Sequence, residues 1–491
     1  MMADVLITKD RAQRWHSKLV RALRDAGLDC AVRPAEPDDD RPPLPQGLAL
    51  LLWLDQTLHG AGEHALDRIR LDFDAGPSRA CDVTIDLTGG VGSVRTARHL
   101  VPLFDGAVGE AALWSALLDG RAPRLDLFDA ANNQVTPIGL PATEAPHQLM
   151  FAADQVIARL IQGIVRVVRH ELDGTRALET PPSMPSLAPR QPISALANIL
   201  TLKSKRVLAR RLRREPQWSV AWRPRAANHP LPDIGSLDLS GWTVLPDDGQ
   251  RYYADPFIFS HSGRRFIFVE EYPYATGRGL VSVAEIGADG RGHTVPQPVL
   301  AAPFHLSYPQ VFAHGGQVYM LPEAAASGRL TLYRAERFPD RWVAVCDLLS
   351  EPVHDATLLE TPDGCWLFAT TDAEGGSSWD ALNLYHAPGL MGPWRAHDMN
   401  PVLIDAGSAR PAGAMFRAGG DLWRPVQDCR AGYGAGLGFA RIDQLDQRGF
   451  GQTVVRTVLP PARSGFCGVH TWSGAANLET VDVFGPRPGG G

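Results

Sequence analysis

Apolar and polar positions change their period near the middle of the chain, and the change divides it. Before residue 175 short apolar runs alternate with helical patterns. ADVLIT (3–8) and ALLLWL (49–54) read as buried strands, and CDVTIDLTG (81–89) reads as a strand running into a glycine turn. Residues 11–26 place Trp15, Leu19 and Leu23 on one face of a helix, and residues 151–170 repeat apolar positions at helical spacing. Strands alternating with helices predict an α/β domain with a largely parallel sheet. The segment 180–192 then carries five prolines in thirteen residues, the composition of a stiff linker. Next, 203–214 carries seven basic residues in twelve, which fits a solvated or interdomain helix, or a patch for anionic lipid or ligand.

From residue 216 the pattern becomes short strands separated by turns, and it repeats. ADPFIFSHSGRRFIFVEE (254–271), SYPQVFAHGGQVYMLPE (307–323), HDATLLETPDGCWLFATTD (354–372) and ARPAGAMFRAGGDLWRPVQD (409–428) each read as a hairpin with polar ends, followed by a further strand. Anchored on Asp255, Pro309, Asp355 and Pro411, the units are spaced by 54, 46 and 56 residues. A period near 50 with about four strands per unit is that of a β-propeller. A degenerate fifth unit (468–484), completed by WSVAWR (218–223), closes a five-bladed ring. The expected organisation is an α/β domain over 1–175, a linker with a basic helix over 176–215, and a propeller over 216–486.

Composition narrows the function. The chain of 491 residues has 48 Lys+Arg against 54 Asp+Glu, a net charge of −6, which argues against nucleic acid as a partner. The start lacks the features of a signal peptide and no run is long enough to span a membrane, so a cytoplasmic protein is expected, with peripheral membrane contact through 203–214 as its one route to a bilayer. The six scattered cysteines show no CxxC and no zinc spacing, so neither a disulfide framework nor a structural zinc site is expected, and no metal ligands are assigned.

In a propeller the strand ends of successive blades collect around one mouth. Here those ends are polar: Asp255, Tyr308, Asp355, Arg410 and His470 at strand starts, and Glu270, Glu271, Glu323, Asp372 and Asp428 at hairpin ends. Carboxylates sharing a concave, desolvated mouth separate their pKa values, leaving one protonated as an acid while another stays ionised. Asp255, Glu323 and Asp355 are therefore the candidate catalytic residues, with Glu271, Tyr308, Arg410, Asp428 and His470 as substrate-binding candidates. Glu270 and Glu271 cannot share a face of a regular strand, and Glu271 is preferred for the channel by its place next to the loop. Tyr253, Trp379, Tyr433 and Trp472 are candidate platforms for sugar faces. Each polar candidate also admits a plain structural role in a turn or an ion pair. In the first domain Gly89, Gly90 and Gly92 would either let the backbone approach a phosphate or simply make a tight turn.

The motifs YADPF, FVEE, LSYPQVF, YMLPE, LYRAERFP, HDATLL, LMGPW, ARPAG, RPVQDC and GVHT, in this order, resemble the propeller found at the N-terminus of glucosamine inositolphosphorylceramide transferases. More distantly the repeat resembles the five-bladed propellers of arabinanases, β-xylosidases and invertase-type glycosidases. That likeness implies a base or nucleophile at Asp255 and a third-blade aspartate at Asp355. The general-acid glutamate of those glycosidases has no counterpart, since the fourth blade offers Arg410. Residues 1–170 resemble the formyltransferase N-terminal fold, through CDVTIDLTGG and GEAALWSALLDGRAP. The Asn, His and Asp of formyl transfer are missing, with Phe104 to Ala107 near the position of the histidine segment, so no folate cofactor is expected.

The leading expectation is a glycosyltransferase of surface-glycan or glycolipid assembly, using a sugar donor such as a nucleotide sugar and a glycan or glycolipid acceptor. A glycosidase and a non-catalytic glycan-binding module are the alternatives.

Overall fold

The computed structural model describes all residues except 36–43, 45, 61, 75–80, 90–92, 94–95, 171–174, 178–193, 195–196, 198–215, 226–236, 238, 291, 461–464, 476 and 487–491. The Pro-rich segment, the basic segment 203–214, Gly90 and Gly92 lie outside the described residues. The chain forms two compact units, Met1–Leu208 with Ala373–Ser377, and Ala209–Asp372 with Ser378–Gly491. Among the described residues no helix is long and apolar enough to cross a membrane. All six cysteines are free thiols.

The first unit runs β1 (Met2–Thr8), α1 (Arg14–Asp25), β2 (Asp29–Ala35), α2 (Gln46–His59), β3 (Val83–Asp86), β4 (Arg98–Phe104), β5 (Ala107–Val108), α3 (Glu110–Leu118), β6 (Leu125–Asp129), β7 (Gln134–Gly139), α4 (Leu149–Arg169) and β8 (Arg176–Ala177). Its sheet has the order β2-β1-β3-β4-β6-β7-β8, with β5 against β4. Strands β2, β1, β3 and β4 are mutually parallel, whereas β6, β7 and β8 join antiparallel. The sheet is therefore mixed where the alternation predicted a largely parallel one. The tight turn at Asp105–Gly106, both at positive φ, and the direct β6–β7 hairpin replace further crossovers. Helix α1 buries Trp15, Leu19 and Leu23 as its periodicity requires.

ALLLWL is not a strand. It lies in the 14-residue α2, where Leu48 and Leu51 are buried while Leu50 and Trp53 are each 59% exposed. A short apolar run does not distinguish a strand from a helix, and here the apolar residues surround a helix covered on one side only.

The second unit begins with β9 (Gln217–Pro224) and β10 (Thr243–Val244). The next blade is β11 (Arg251–His261), β12 (Arg264–Pro273), β13 (Leu280–Ile286) and β14 (Gln297–Leu300). It is followed by β15 (Ser307–His314), β16 (Gln317–Glu323), β17 (Leu330–Arg337) and β18 (Arg341–Leu349). The third comprises β19 (His354–Thr361), β20 (Gly364–Thr370), β21 (Ala381–Ala387), β22 (Arg395–Ala396) and β23 (Leu403–Ile404). The fourth comprises β24 (Phe416–Ala418), β25 (Asp421–Asp428), β26 (Gly436–Asp446) and β27 (Gly449–Val458), and β28 (Trp472–Ala475) and β29 (Leu478–Gly485) end the unit. Strand β29 pairs with β9 along its whole length, Leu478 opposite Pro224 through Gly485 opposite Gln217. The two ends of the propeller thus share its fifth blade, and the sheet edge each would expose is covered.

Five apolar clusters hold the ring, one between each pair of adjacent blades. Trp222 packs with Ile267, Phe268 with Met320, Leu332 with Leu367, Phe368 with Phe450, and Phe439 with Trp472. These are positions of alternating strands, where one face of each blade meets the opposite face of its neighbour. Burial of such side chains, at about 25 cal/mol per Å² of apolar surface, is the main force closing the ring.

Candidate functional site in the propeller mouth

A single backbone device recurs at the start of three consecutive inner strands. Asp255, Tyr308 and Asp355 have φ of 50°, 45° and 51°, a left-handed conformation uncommon for residues other than glycine. At each, the hairpin ladder slips, between Ala254 and Phe257, Ser307 and Gln310, and His354 and Thr357. The bulge turns each side chain out of the regular alternation. Such strain persists where surrounding bonds fix it. Those bonds run from blade to blade: Asp255 N–H donates to Asp482 Oδ2 at 2.9 Å, and Tyr308 N–H donates to Asp255 Oδ2 at 3.2 Å.

The mouth encloses a cavity of about 340 Å³, lined by residues of all five blades. Asp255, Glu323, Arg410 and His470 border it, as do Trp218, Tyr252, Glu270, His305, Ser307, His354 and Tyr433. Asp255 is 4% exposed and accepts from Thr471 Oγ1 at 2.8 Å, with His470 Nε2 at 3.5 Å from its Oδ1. Burial raises its pKa to about 6, with Asp355 and Asp482 adding to the rise and His470 opposing it. Glu270 is pushed well above the usual carboxylate range, first by burial and then by Asp255, Glu323, Asp482 and Asp355. Among the described residues its Oε1 has no hydrogen bond, and His305 Nε2 stands 3.3 Å away. A side chain at Gly279 would collide with this carboxyl and with the Leu306 carbonyl.

His470 is buried, which lowers its pKa, but Asp482 and Asp255 outweigh that and raise it overall, favouring imidazolium. Its Nδ1 lies 2.7 Å from Asp482 Oδ2, and its ring stacks on Trp218 at 3.9 Å between centroids. Arg410 is 7% exposed. Its Nε donates to Asp355 Oδ2 at 2.6 Å, Nη1 donates to the Ser378 carbonyl at 3.1 Å, and its guanidinium lies over Tyr433. Burial alone would lower the Arg410 pKa, and the Asp355 carboxylate more than reverses this, so the cation is permanent. Glu323 accepts from Ser307 Oγ at 3.0 Å and from Ala325 N–H at 2.8 Å, with His354 Nδ1 at 3.6 Å.

The remaining candidates stand elsewhere. Asp355 is tied to Arg410 and to Gln427 Nε2 (2.9 Å) and does not border the cavity, so it positions Arg410. Tyr308 is fully buried, its hydroxyl 2.9 Å from Thr357 Oγ1 and accepting from Gly413 N–H, which makes it a brace across the ring. Asp428 is bound by Arg430 at 2.9 and 2.6 Å and does not border the cavity. Glu271 faces away, held by Arg251 Nη1 and by Ser282 Oγ at 2.6 Å. Alternation along β12 gives the mouth to Glu270 instead, the residue opposite Ala254. Tyr253 and Trp472 are core residues, whereas Tyr433 is 40% exposed at the mouth. Sequence reasoning passed over Trp218, His305 and His354: no histidine or tryptophan recurs at their positions in the other units, and Trp218 reaches the mouth only because β9 closes the ring. Among the described residues Asp255, His470 and Asp482 are also the one group whose ligand atoms lie within 4.8 Å of one another, a spacing their ion pairs already fill.

Comparison with known proteins agrees with the ordered motifs. Residues 246–484 match the family model described as glucosamine inositolphosphorylceramide transferase 1, N-terminal. Glucosamine inositolphosphorylceramide transferase 1 of Oryza sativa subsp. japonica is 31% identical over 237 residues, which are 47% of this chain and 32% of the relative. Its Arabidopsis thaliana counterpart is 29% identical over 259 residues, 52% of this chain and 32% of that one. A glycoside hydrolase family 43 enzyme of Xanthomonas citri aligns with a TM-score of 0.36 at 14% identity, covering 48% of this chain and 87% of its own. The match spans about a third of the length of the plant relatives, and the part of this chain that resembles them is its five-bladed propeller.

Proposed function

We propose that the propeller mouth binds an activated sugar and supports its transfer to a hydroxyl of a glycan or glycolipid acceptor. The observation that carries this is the pairing, in one cavity, of the neutral carboxyl of Glu270 with Asp255, whose pKa of about 6 suits a base working near neutral pH. In the proposed step Asp255 takes the proton of the acceptor hydroxyl as its oxygen bonds the anomeric carbon. The bond to the leaving phosphate breaks, and its electron pair stays on the phosphate oxygen. Arg410 and imidazolium His470 offset the charge that develops there. Glu270 donates to a sugar oxygen, and Trp218 and Tyr433 supply aromatic faces. The naming of the plant relatives as transferases supports transfer at a general level.

The test is thermal shift with a panel of nucleotide sugars, followed by an assay for acceptor-dependent release of nucleoside diphosphate. Stabilisation lost in Arg410→Gln, with turnover reduced at least about 100-fold in Asp255→Asn, is expected. No response to any nucleotide sugar, alongside stabilisation by free oligosaccharides, overturns transfer in favour of a binding module. Hydrolysis of aryl glycosides, with release of the phenol, that is lost in Asp255→Asn overturns it in favour of a glycosidase.

A further inference from the structure

The first unit holds its own cavity, of about 380 Å³, independent of the propeller mouth. From β1 the chain goes to β2 on one side and then to β3 on the other, so β1 and β3 form a switch point of the parallel part of the sheet. Ligands of open α/β sheets bind outside the carboxyl ends of the strands at such a point. The cavity lies there, bordered by Arg11 and Gln13 after β1, and by Leu87, Thr88 and Gly89 after β3.

Two observations define what would fit. Leu66, Leu87, Val101, Phe104, Leu113 and Ile157 make the walls apolar. Hydrogen-bond donors gather at one side. His16 borders the cavity, is 3% exposed, and has its pKa lowered to about 3 by burial and, secondarily, by Arg68. The imidazole is therefore neutral. Its Nδ1 accepts from Gln13 N–H at 3.1 Å, so the proton is on Nε2, which makes no hydrogen bond among the described residues. An N–H on a buried side chain that borders a cavity asks for an acceptor. Arg11 and Arg68 border the same space, with Arg68 bound to the Asp10 carbonyl. The first turn of α3 opens there too, at Gly109, Glu110 and Ala111, with no side-chain cap. The two carboxylates present are already engaged: Asp86 by Thr88 N–H and His99, and Glu110 by Gln13 Nε2 at 2.8 Å.

We infer that this cavity binds a small oxyanion with an apolar body, a carboxylate or phosphate monoester whose oxygens meet His16, Arg68 and the first turn of α3. Calorimetric titration of the full chain with hexyl phosphate, hexanoate, hexanol and inorganic phosphate tests it. One site is expected for hexyl phosphate or hexanoate, at least about tenfold tighter than for hexanol or inorganic phosphate. Arg68→Gln, at an exposed side chain, weakens it about tenfold without lowering the melting temperature, and Ala111→Leu, which narrows the cavity, abolishes it. Arg410→Gln leaves it unchanged, which separates this site from the propeller mouth. Failure of both amphipathic anions to bind, or equal binding to wild type, Arg68→Gln and Ala111→Leu, overturns the inference.

Discussion

The two units enclose cavities of similar size, about 380 and 340 Å³, by opposite means. In the α/β unit the histidine at the wall is buried in apolar surroundings and held neutral. In the propeller His470 is equally buried, yet the facing carboxylates favour its charged form. Burial penalises charge in both, and what differs is whether opposite charge lies within about 4 Å. A cavity of the first kind selects a ligand by shape and a few donors, whereas one of the second kind holds protons ready to move.

The largest effect separating the two should come from the ion pair behind the mouth. Arg410→Ala leaves Asp355 buried at 2% exposure with, among the described residues, only the Gln427 side chain to bind it. Removing one partner of a buried pair costs about 3–5 kcal/mol. Scanning calorimetry is expected to show the propeller transition lowered and that of the α/β unit unmoved. Equal movement of both would mean that the units unfold as one.

Acidity should move the two units in opposite directions. His16 has a folded pKa near 3 against about 6.5 unfolded, so its contribution is present above pH 6.5 and is lost as the pH falls towards 3, about 3 kcal/mol of it by pH 4. Asp255, Glu270 and His470 have folded pKa values above their ordinary ones. Their contribution is complete at low pH and is lost as the pH rises, for Asp255 between about 4 and 6. Melting between pH 4 and 8 checks both slopes. His16→Gln is expected to flatten the acid loss of the first unit only, and unchanged acid sensitivity in that variant would show that other groups set it.

The same contrast marks what was legible in the sequence. The propeller repeats itself, so blade number, hairpins and the polar ring around Asp255, Asp355 and Arg410 followed from setting its units side by side. The α/β unit offers no such internal check, and ALLLWL, an apolar run without period, read as a strand although it is a helix. Within the repeat, reasoning failed at the end of β12, where nearness to the loop favoured Glu271 although the strand turns Glu270 to the mouth. The left-handed residues Asp255, Tyr308 and Asp355 shift the ladder by an amount that no count along the chain reveals. His305 and Trp218 reach the mouth from outside the four hairpins, His354 stands where the other hairpins have alanine or serine, and only the closed ring brings them together.

The smallest effects lie between two adjacent residues of β12. Glu270 borders the cavity and favours its neutral form, so Glu270→Gln keeps the shape of that form and removes a carboxylate that costs stability when it ionises. Its melting temperature should match the wild type in acid and exceed it at pH 8, while turnover falls because the amide is a weaker donor to the sugar oxygen than the carboxylic acid. Glu271 is held by Arg251 and Ser282 on the other face of the strand. Glu271→Gln keeps the acceptor for Ser282 and loses the bond from a partly exposed Arg251, a cost of about 1 kcal/mol. It should leave turnover intact at every pH. If Glu271→Gln removed activity and Glu270→Gln did not, the mouth would belong to the other face of β12, and the acid–base pairing with Asp255 would fail with it.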